Sequence, residues 1–370
     1  MSSYFDYFCT HIEKNSDTIR GTCNSMCPDE EVILREREDL VHVLEVLGPI
    51  RKYVKSYSRS AADTNIAKPN LLRPYSVLID TLHYLLLEVT KRREVSSVMV
   101  YDFVNDRLRA IRQDMTIQRL PPEQCVKLLE PMIRFYVYYG YKFSNLPTKG
   151  FDSDLNKKYL LECIKWFLSC IDTMDLSTNR NIDLLSDFIS NLNIKNVRRY
   201  TLGYDRVLME CLYILCNLDD VHPLYRYLKF SKDLKSDPRL NLAFKIAIAN
   251  MKGNYIKIFK SMNTLCPLSY CALCTYLPVL QRKALLTLAH AYNSKKFVVP
   301  IEVITRWLRL SSNGDTIKVC SHYGIKTEGN NILFNKGEFK TDAFLHQTSL
   351  EDDTMKHLDL SIDNIFTYSS

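Results

Sequence analysis

DPRLNLAFKIAIANM, residues 237 to 251, decides the fold class. Asp237 followed by Pro238 reads as an N-cap and a first helical position, where the proline ring presets the helical φ and no amide bond is lost. Leu240, Ala243, Phe244, Ala247, Ile248 and Met251 then fall at i, i+3, i+4, i+7, i+8 and i+11, the pattern of an amphipathic helix. The same texture recurs on either side. Asp152 is placed to cap a helix whose apolar face is Tyr159, Cys163, Trp166, Phe167 and Ile171. Segments of 12 to 16 residues, broken at Gly253, Pro267, Pro278 and Asn293, predict stacked antiparallel helix pairs, although no strict repeat is present.

Toward the N-terminus, Pro28 with Glu30 and Glu31 signals a helix start, and Ile33, Leu40, Leu44 and Leu47 are expected on one buried face. Residues 63–74 (DTNIAKPNLLRP) interrupt, and a helix resumes through Val77, Leu82, Leu85 and Leu86. At Lys296 the pattern changes. Phe297 to Val299 is β-like, Ile301 to Leu310 is a helix with Ile301, Ile304 and Leu308 inward, and Asp315 to His322 is a second helix. Ile325 to Thr327 and Ile332 to Phe334 then flank Glu328, Gly329, Asn330 and Asn331, a good hairpin turn. Strand, helix, helix, hairpin is the layout of a winged helix. The expected fold is therefore mainly α, a stacked helical-hairpin (TPR-like) array ending in a winged helix.

Composition agrees: only 10 of 370 residues are glycine, which encodes few turns, and 46% hydrophobic with 25% charged residues excludes wholesale disorder and a multi-pass membrane protein. The longest uncharged stretch, Ser261 to Gln281, carries Asn263, Thr264, Pro267, Ser269, Thr275 and Pro278, which predicts a buried helical pair and not a membrane span. MSSYFDYFCTHIEKNSD at the start shows no secretory signal. The 12 cysteines, mostly in apolar helical context such as Cys163, Cys170, Cys211, Cys216, Cys271 and Cys274, read as reduced, buried thiols of an intracellular protein. The net charge of +7 is uneven: from Thr341 on there are six acids (Asp342, Glu351, Asp352, Asp353, Asp359, Asp363) against Lys356 alone. A basic body with an acidic tail points to a polyanionic or acidic partner.

GTCNSMCPDEEVILRERE (Gly21 to Glu38), VKSYSRSAAD (Val54 to Asp63), LRPYSVLIDTLHYLL (Leu72 to Leu86) and YDFVNDRLRAIRQDM (Tyr101 to Met115) together resemble the signature of the Sac/GANP family, named for germinal-centre-associated nuclear protein, a scaffold of nuclear messenger-RNA export. The resemblance extends over about residues 20 to 340 and places Gly21, Cys23, Met26, Cys27, Pro28, Arg35, Glu36, Arg59, Arg73, Asp102, Arg107 and Arg112 in the family signature. It implies a PCI-like fold that pairs with a second PCI-domain subunit and a small acidic protein of the kind shared by proteasome lid and export complexes. It further implies contact with an RNA helicase, a basic surface for RNA without sequence specificity, no membrane partner, and a place in the nucleus or at its envelope. The chain is most similar to the short, stand-alone Sac-domain type of animals, associated with centrosome and spindle as well as with export. The organisation expected is a flexible arm over residues 1–20, the signature segment and first helix over 21–62, the helical array over 63–296, the winged helix over 297–340 and an acidic, partly disordered tail over 341–370.

Several constellations carry two readings. Cys23 and Cys27, with Cys9 and His11 nearby, outline a zinc site, but the spacing is loose and structural zinc wants tight ligand pairs. The expectation is no metal, with Cys23, Met26 and Cys27 as apolar pegs pinning an extended segment onto the helical body. Arg51, Lys55 and Arg59 form one basic stripe if helical, interleaved with Tyr53 and Tyr57, either a phosphate-and-stacking surface or a solvated helix face. In Tyr101 to Met115 the buried stripe is Val104, Leu108, Ile111 and Met115, leaving Asp102, Asp106, Arg107, Arg109 and Arg112 elsewhere, where intrahelical ion pairs explain many of these charges and contact with RNA is the second reading. On the wing, Arg306, Arg309, Lys318, Lys326 and Lys336 are the cations available to RNA, although winged helices also serve as pure protein interfaces. No G-x-x-x-x-G-K-[ST], G-x-G-x-x-G, G-x-S-x-G or H-E-x-x-H occurs, and the eight histidines show no nucleophile-base pairing, so no catalytic residue and no cofactor is expected. The function expected is a non-enzymatic export scaffold; the competing one is a docking protein of centrosome duplication and spindle assembly during cell division.

Overall fold

The computed structural model describes residues 19–47, 51–58, 67–147, 149–189, 204–294, 296–347 and 365–366, and side chains throughout these except over 178–189. Residues 1–18, Arg59 and most of the acidic tail lie outside the described residues. The fold is mainly helical, in keeping with a helical repeat array. Two compact units are formed, Met1–Leu128 and Leu129–Ser370.

The first unit opens with α1 (Asp29–Arg37) and the single turn α2 (Val43–Val46). A 3-10 turn (Pro69–Leu71) precedes α3 (Tyr75–His83), which runs on through a π turn (Tyr84–Glu88) and a 3-10 turn (Val89–Lys91). Then come α4 (Ser97–Ile117) and the start of α5 (Pro122–Lys142). Ser96 caps α4 by accepting the Met99 amide at 3.2 Å, and Val104, Leu108, Ile111 and Met115 are fully buried, the stripe the periodicity predicts. Leu78, Leu82 and Leu85 of the α3 run are likewise at 0% exposure.

The expected single helix with Ile33, Leu40, Leu44 and Leu47 on its inner face is not formed. The chain breaks after α1, where Asp39 takes a left-handed conformation (φ 54°) and the Leu40 amide folds back onto the Arg35 carbonyl at 2.8 Å. Ile33 and Leu40 end 65% and 63% exposed, while the residue α1 buries is Arg35. Burial here follows charge pairing and not apolarity.

The second unit contains α6 (Ser153–Ile189), α7 (Arg206–Leu215), α8 (His222–Leu228), α9 (Lys232–Lys235), α10 (Pro238–Met251), α11 (Tyr255–Ser261), α12 (Pro267–Cys274) and α13 (Leu277–Ala291). Asp152 accepts the Leu155 amide at 2.9 Å, and Tyr159, Cys163, Phe167 and Ile171 are buried. Asp237 accepts the Arg239 amide at 2.8 Å, α10 packs along α7, and Leu240, Ala243 and Ala247 are buried. Ile246 and Ala249 are also buried, so the apolar face is wider than the template, and Phe244 stacks flat on Tyr227 with ring centres 4.0 Å apart. Met251, the last residue of α10, is 59% exposed, against expectation. The uncharged stretch forms α12 and the first turn of α13, buried through Tyr270, Cys271, Leu273, Leu277 and Leu280. Among the described residues no helix is long and apolar enough to cross a membrane.

The second unit also contains β1 (Val299–Pro300), α14 (Ile301–Leu308), α15 (Asn313–His322), β2 (Lys326–Glu328) and β3 (Asn331–Leu333). The strands pair antiparallel in the order β1-β3-β2, with Val299 and Thr327 both opposite Ile332. Ile301, Ile304 and Leu308 point inward at 0–1% exposure. Gly329 takes φ 57° in the β2–β3 turn, a conformation that favours glycine. The order strand, helix, helix, hairpin is thus the one the sequence predicts.

Burial governs the thiols. Cys27 in the first unit, and Cys216, Cys274 and Cys320 in the second, are pushed up to about 12 by removal from water. The folded chain therefore holds these protons more tightly than the unfolded one. Stability is fully present below the ordinary thiol value of 9.0 and is lost as pH rises from there toward about 12. Thermal unfolding at pH 9.5 should show a loss of about 1 kcal/mol per such thiol relative to pH 8. A melting temperature constant from pH 8 to 10 would contradict it.

Candidate functional site

The signature segment is held by its own backbone. The Thr22 amide donates to the Pro69 carbonyl at 2.8 Å, the Cys23 amide to the Leu72 carbonyl at 3.0 Å, and the Gly21 amide to Gln118 Oε1 at 2.8 Å. The approach at Gly21 is so close that a Cβ there would lie 2.3 Å from the Leu72 oxygen, which is why a glycine stands at that position. Cys23 and Cys27 are 8% and 3% exposed, the apolar pegs expected of them, whereas Met26, the third, is only half-buried. Cys9 and His11 lie outside the described residues, and among the described residues no three His, Cys, Asp or Glu side chains gather as a metal site.

Beneath this segment, two fully buried carboxylates organise the charged residues of the first unit. Glu45 pairs with Arg35 and, at 3.5 Å, with Arg107 Nη2, and it accepts the amides of Val54 at 2.9 Å and His42 at 3.1 Å. Asp114 takes Lys55 Nζ at 2.6 Å and Arg73 Nε at 2.7 Å. Lys55 also donates to the Leu71 carbonyl at 2.6 Å, and Arg73 Nη1 to the Met26 carbonyl at 3.2 Å. Gln118 closes the cluster by donating to the Arg73 carbonyl at 2.8 Å. Burial beside Arg107 lowers the affinity of the His42 ring for a proton. Buried charge survives only when paired and hydrogen-bonded, and here each carboxylate serves two cations.

Gly21, Cys23, Met26, Cys27, Arg35, Arg73 and Arg107 of the expected signature thus converge on one network. Pro28 starts α1, Glu36 sits at the surface against Tyr53 and Arg51, Asp102 is exposed on α4, and Arg112 is half-buried there. Arg107 forms the expected intrahelical pair, with Asp106 at 2.5 Å, but not at the surface: it is 7% exposed and also faces Glu45, and Asp106 reaches across to accept the Tyr57 amide at 3.1 Å. The guanidinium of Arg109 lies 3.8 Å over the Tyr57 ring. Glu45, Asp114 and Gln118, central to the network, were not among the residues singled out by sequence.

The expected basic stripe is also corrected. Residues 51–58 are not helical, because carboxylates of other elements take their amides: Glu45 that of Val54, Glu31 that of Ser56 at 2.8 Å, and Asp106 that of Tyr57. Lys55 is 5% exposed and faces Asp114, out of reach of a phosphate. Arg51 is exposed beside Glu36 and Tyr53, and Arg59 lies outside the described residues.

In the second unit the cations after Ile301 face water. Arg306 is exposed on α14, Lys318 is exposed on α15 beside Asp315 at 3.3 Å, Lys326 is exposed on β2 against Glu338 at 2.9 Å, and Lys336 is exposed after β3. Arg309 is half-buried, caps α14 in a left-handed conformation (φ 53°) and donates to Asn263. The exposed ion pairs are weak and easily exchanged for another anion. β1 is an edge strand, preceded by Phe297 and Val298 at 63% and 50% exposure. A separate cleft of about 360 Å³ is lined by Gly140, Asn156, Lys157 and Tyr276 among others, and its polar atoms bond one another: Lys157 Nζ donates to Tyr276 Oη at 2.9 Å, which donates to the Cys216 carbonyl at 2.6 Å.

The pattern of the SAC3/GANP family matches residues 26–329. The chain belongs to the SAC3/GANP family. Its match runs from Met26, whose carbonyl receives Arg73, to Gly329 in the terminal hairpin turn, and so takes in both units. Among similar SAC3/GANP relatives, Protein xmas of Drosophila melanogaster is 27% identical over 334 residues, 85% of this chain and 15% of that protein. SAC3 family protein B of Arabidopsis thaliana is 24% identical over 348 residues, 89% of this chain and 19% of its own length. SAC3 family protein 1 of Schizosaccharomyces pombe is 33% identical over 125 residues, 32% of this chain and 12% of its own length. The chain spans less than a fifth of the length of each of these relatives. SAC3/GANP is a scaffold-type family associated with the nucleus.

Proposed function

We propose that this chain is a non-enzymatic scaffold of nuclear messenger-RNA export, which pairs with a second PCI-domain subunit and a small acidic protein and offers a basic surface to RNA. One observation carries the reading: Arg35, Lys55, Arg73 and Arg107 are spent inward on Glu45 and Asp114, whereas Arg306, Lys318, Lys326 and Lys336 face water around the small sheet. The exposed Phe297 and Val298, which lead into the edge strand β1, supply the protein-docking element, since apolar side chains held out in water are best covered by a partner. RNA affinity then comes largely from counterion release and carries little base specificity.

Titration of the chain with its co-purified partner against single-stranded RNA, at a series of salt concentrations, tests this. The combined R306A/K318A/K326A/K336A variant should reduce the slope of log affinity against log salt by about 0.7 for each phosphate contact removed. Lys55→Met should leave the slope unchanged. An unaltered slope in the fourfold variant would remove the RNA role from this surface. In cells, depletion should retain polyadenylated RNA in the nucleus; abnormal centrosome number with normal RNA distribution would favour the mitotic docking role instead.

A further inference from the structure

Ile365 and Phe366, far along the acidic tail, are 2% and 4% exposed, as buried as core residues. They sit on α5 in the second unit. The Phe366 ring lies 6.2 Å from that of Phe135 and meets Tyr138 edge-on at 5.9 Å and 87°. Arg134 Nη1 donates to the Ile365 carbonyl at 3.3 Å. The receiving side is built without help from the tail. The Arg134 guanidinium is fixed by Glu130, with Nε and Nη2 on Oε1 at 3.0 and 2.6 Å, and Glu130 Oε2 is itself anchored by the Asp205 amide at 3.0 Å. Phe135 and Tyr138 are braced by Tyr139 at 4.7 and 5.2 Å.

This is a small receptor: one held guanidinium donor for a backbone carbonyl, and two aromatic faces at i+1 and i+4 along a helix. Its ligand is a short helical segment, as Ile365 and Phe366 are, presenting a branched aliphatic residue, then an aromatic one, with a carbonyl between them. We propose that Arg134, Phe135 and Tyr138 form a peptide-docking site whose resident is the chain's own Ile365–Phe366, seated in cis and exchangeable. Two buried side chains are too few to hold a free peptide tightly. Seventeen residues, 348–364, join Gln347 to Ile365, and a tether of that length gives an effective concentration on the order of millimolar, enough to keep a weak site filled. The tail thereby denies the site to an outside segment of the same kind until it is displaced. This inference does not depend on the export reading.

The full-length chain and its I365A/F366A variant, titrated with a fluorescent peptide of residues 361–370 (SIDNIFTYSS), give the test. The variant should bind the peptide at least tenfold more tightly than the natural chain, whose own tail competes at roughly millimolar effective concentration. A peptide with both residues replaced by alanine should bind neither chain. Both substitutions fall in the tail, so an unchanged circular dichroism spectrum is expected, with the melting transition lowered only by what the docked tail contributes. Equal binding to the two chains, no saturable binding to either, or equal binding of the alanine peptide would each overturn the proposal.

Discussion

Asp114→Ala lowers stability by about 3–5 kcal/mol, because it leaves two buried cations facing one another with no counter-charge. Lys55 and Arg73 are 5% and 0% exposed, and both direct their charge at Asp114. Losing the carboxylate also frees Lys55 and Arg73 to pull away from the Leu71 and Met26 carbonyls that hold the signature segment. Urea unfolding followed by circular dichroism, with amide exchange of α4 as the local readout, measures the effect. Lys55→Met should cost less, about 1–2 kcal/mol, since it leaves Arg73 and Asp114 as a one-to-one pair while a methionine fills the volume. The order of the two variants is the decisive part. If Lys55→Met is the more damaging, Asp114 is not the hub.

Glu45→Ala is expected to match it, again about 3–5 kcal/mol. The carboxylate stands between Arg35 and Arg107, whose side chains are 6% and 8% exposed, and it also satisfies the amides of His42 and Val54. Removing it leaves Arg35 with Glu31 alone, at 3.6 Å, and Arg107 with Asp106 alone, at 2.5 Å, and strands two amide donors at once. Glu45→Gln retains an acceptor for the amides and removes only the charge, so its loss should fall between wild type and alanine. Guanidinium chloride would screen the charges under study, so urea is again the denaturant of choice. An alanine variant within 1 kcal/mol of wild type would mean that the network contributes specificity and not stability.

Where packing is local, the sequence was a sufficient guide. The α10 and α14 periods, the caps at Asp152 and Asp237 and the turn at Gly329 all involve partners within a few residues, so composition and spacing report them directly. The first unit was harder to read because its determinants are remote in sequence. Fifty-nine positions separate Lys55 from Asp114, and no spacing rule links them. Residues 51–58 have the charge and aromatic pattern of an exposed helix, yet carboxylates from α1, α2 and α4 take the amides such a helix would need. One sign was present: Asp114 falls between Ile111 and Met115, on the shoulder of the apolar stripe of α4, where an acid is costly unless cations await it. The cations on α14, α15 and β2 were legible by type, whereas the burial that disqualifies Lys55 was not.

The inward aim of Arg35, Arg73 and Arg107 has an evolutionary corollary. These side chains act as a keel and not as rigging: changes confined to the outer skin leave the hidden lattice of charge intact, so the exterior is free to vary without loosening what holds the first unit together.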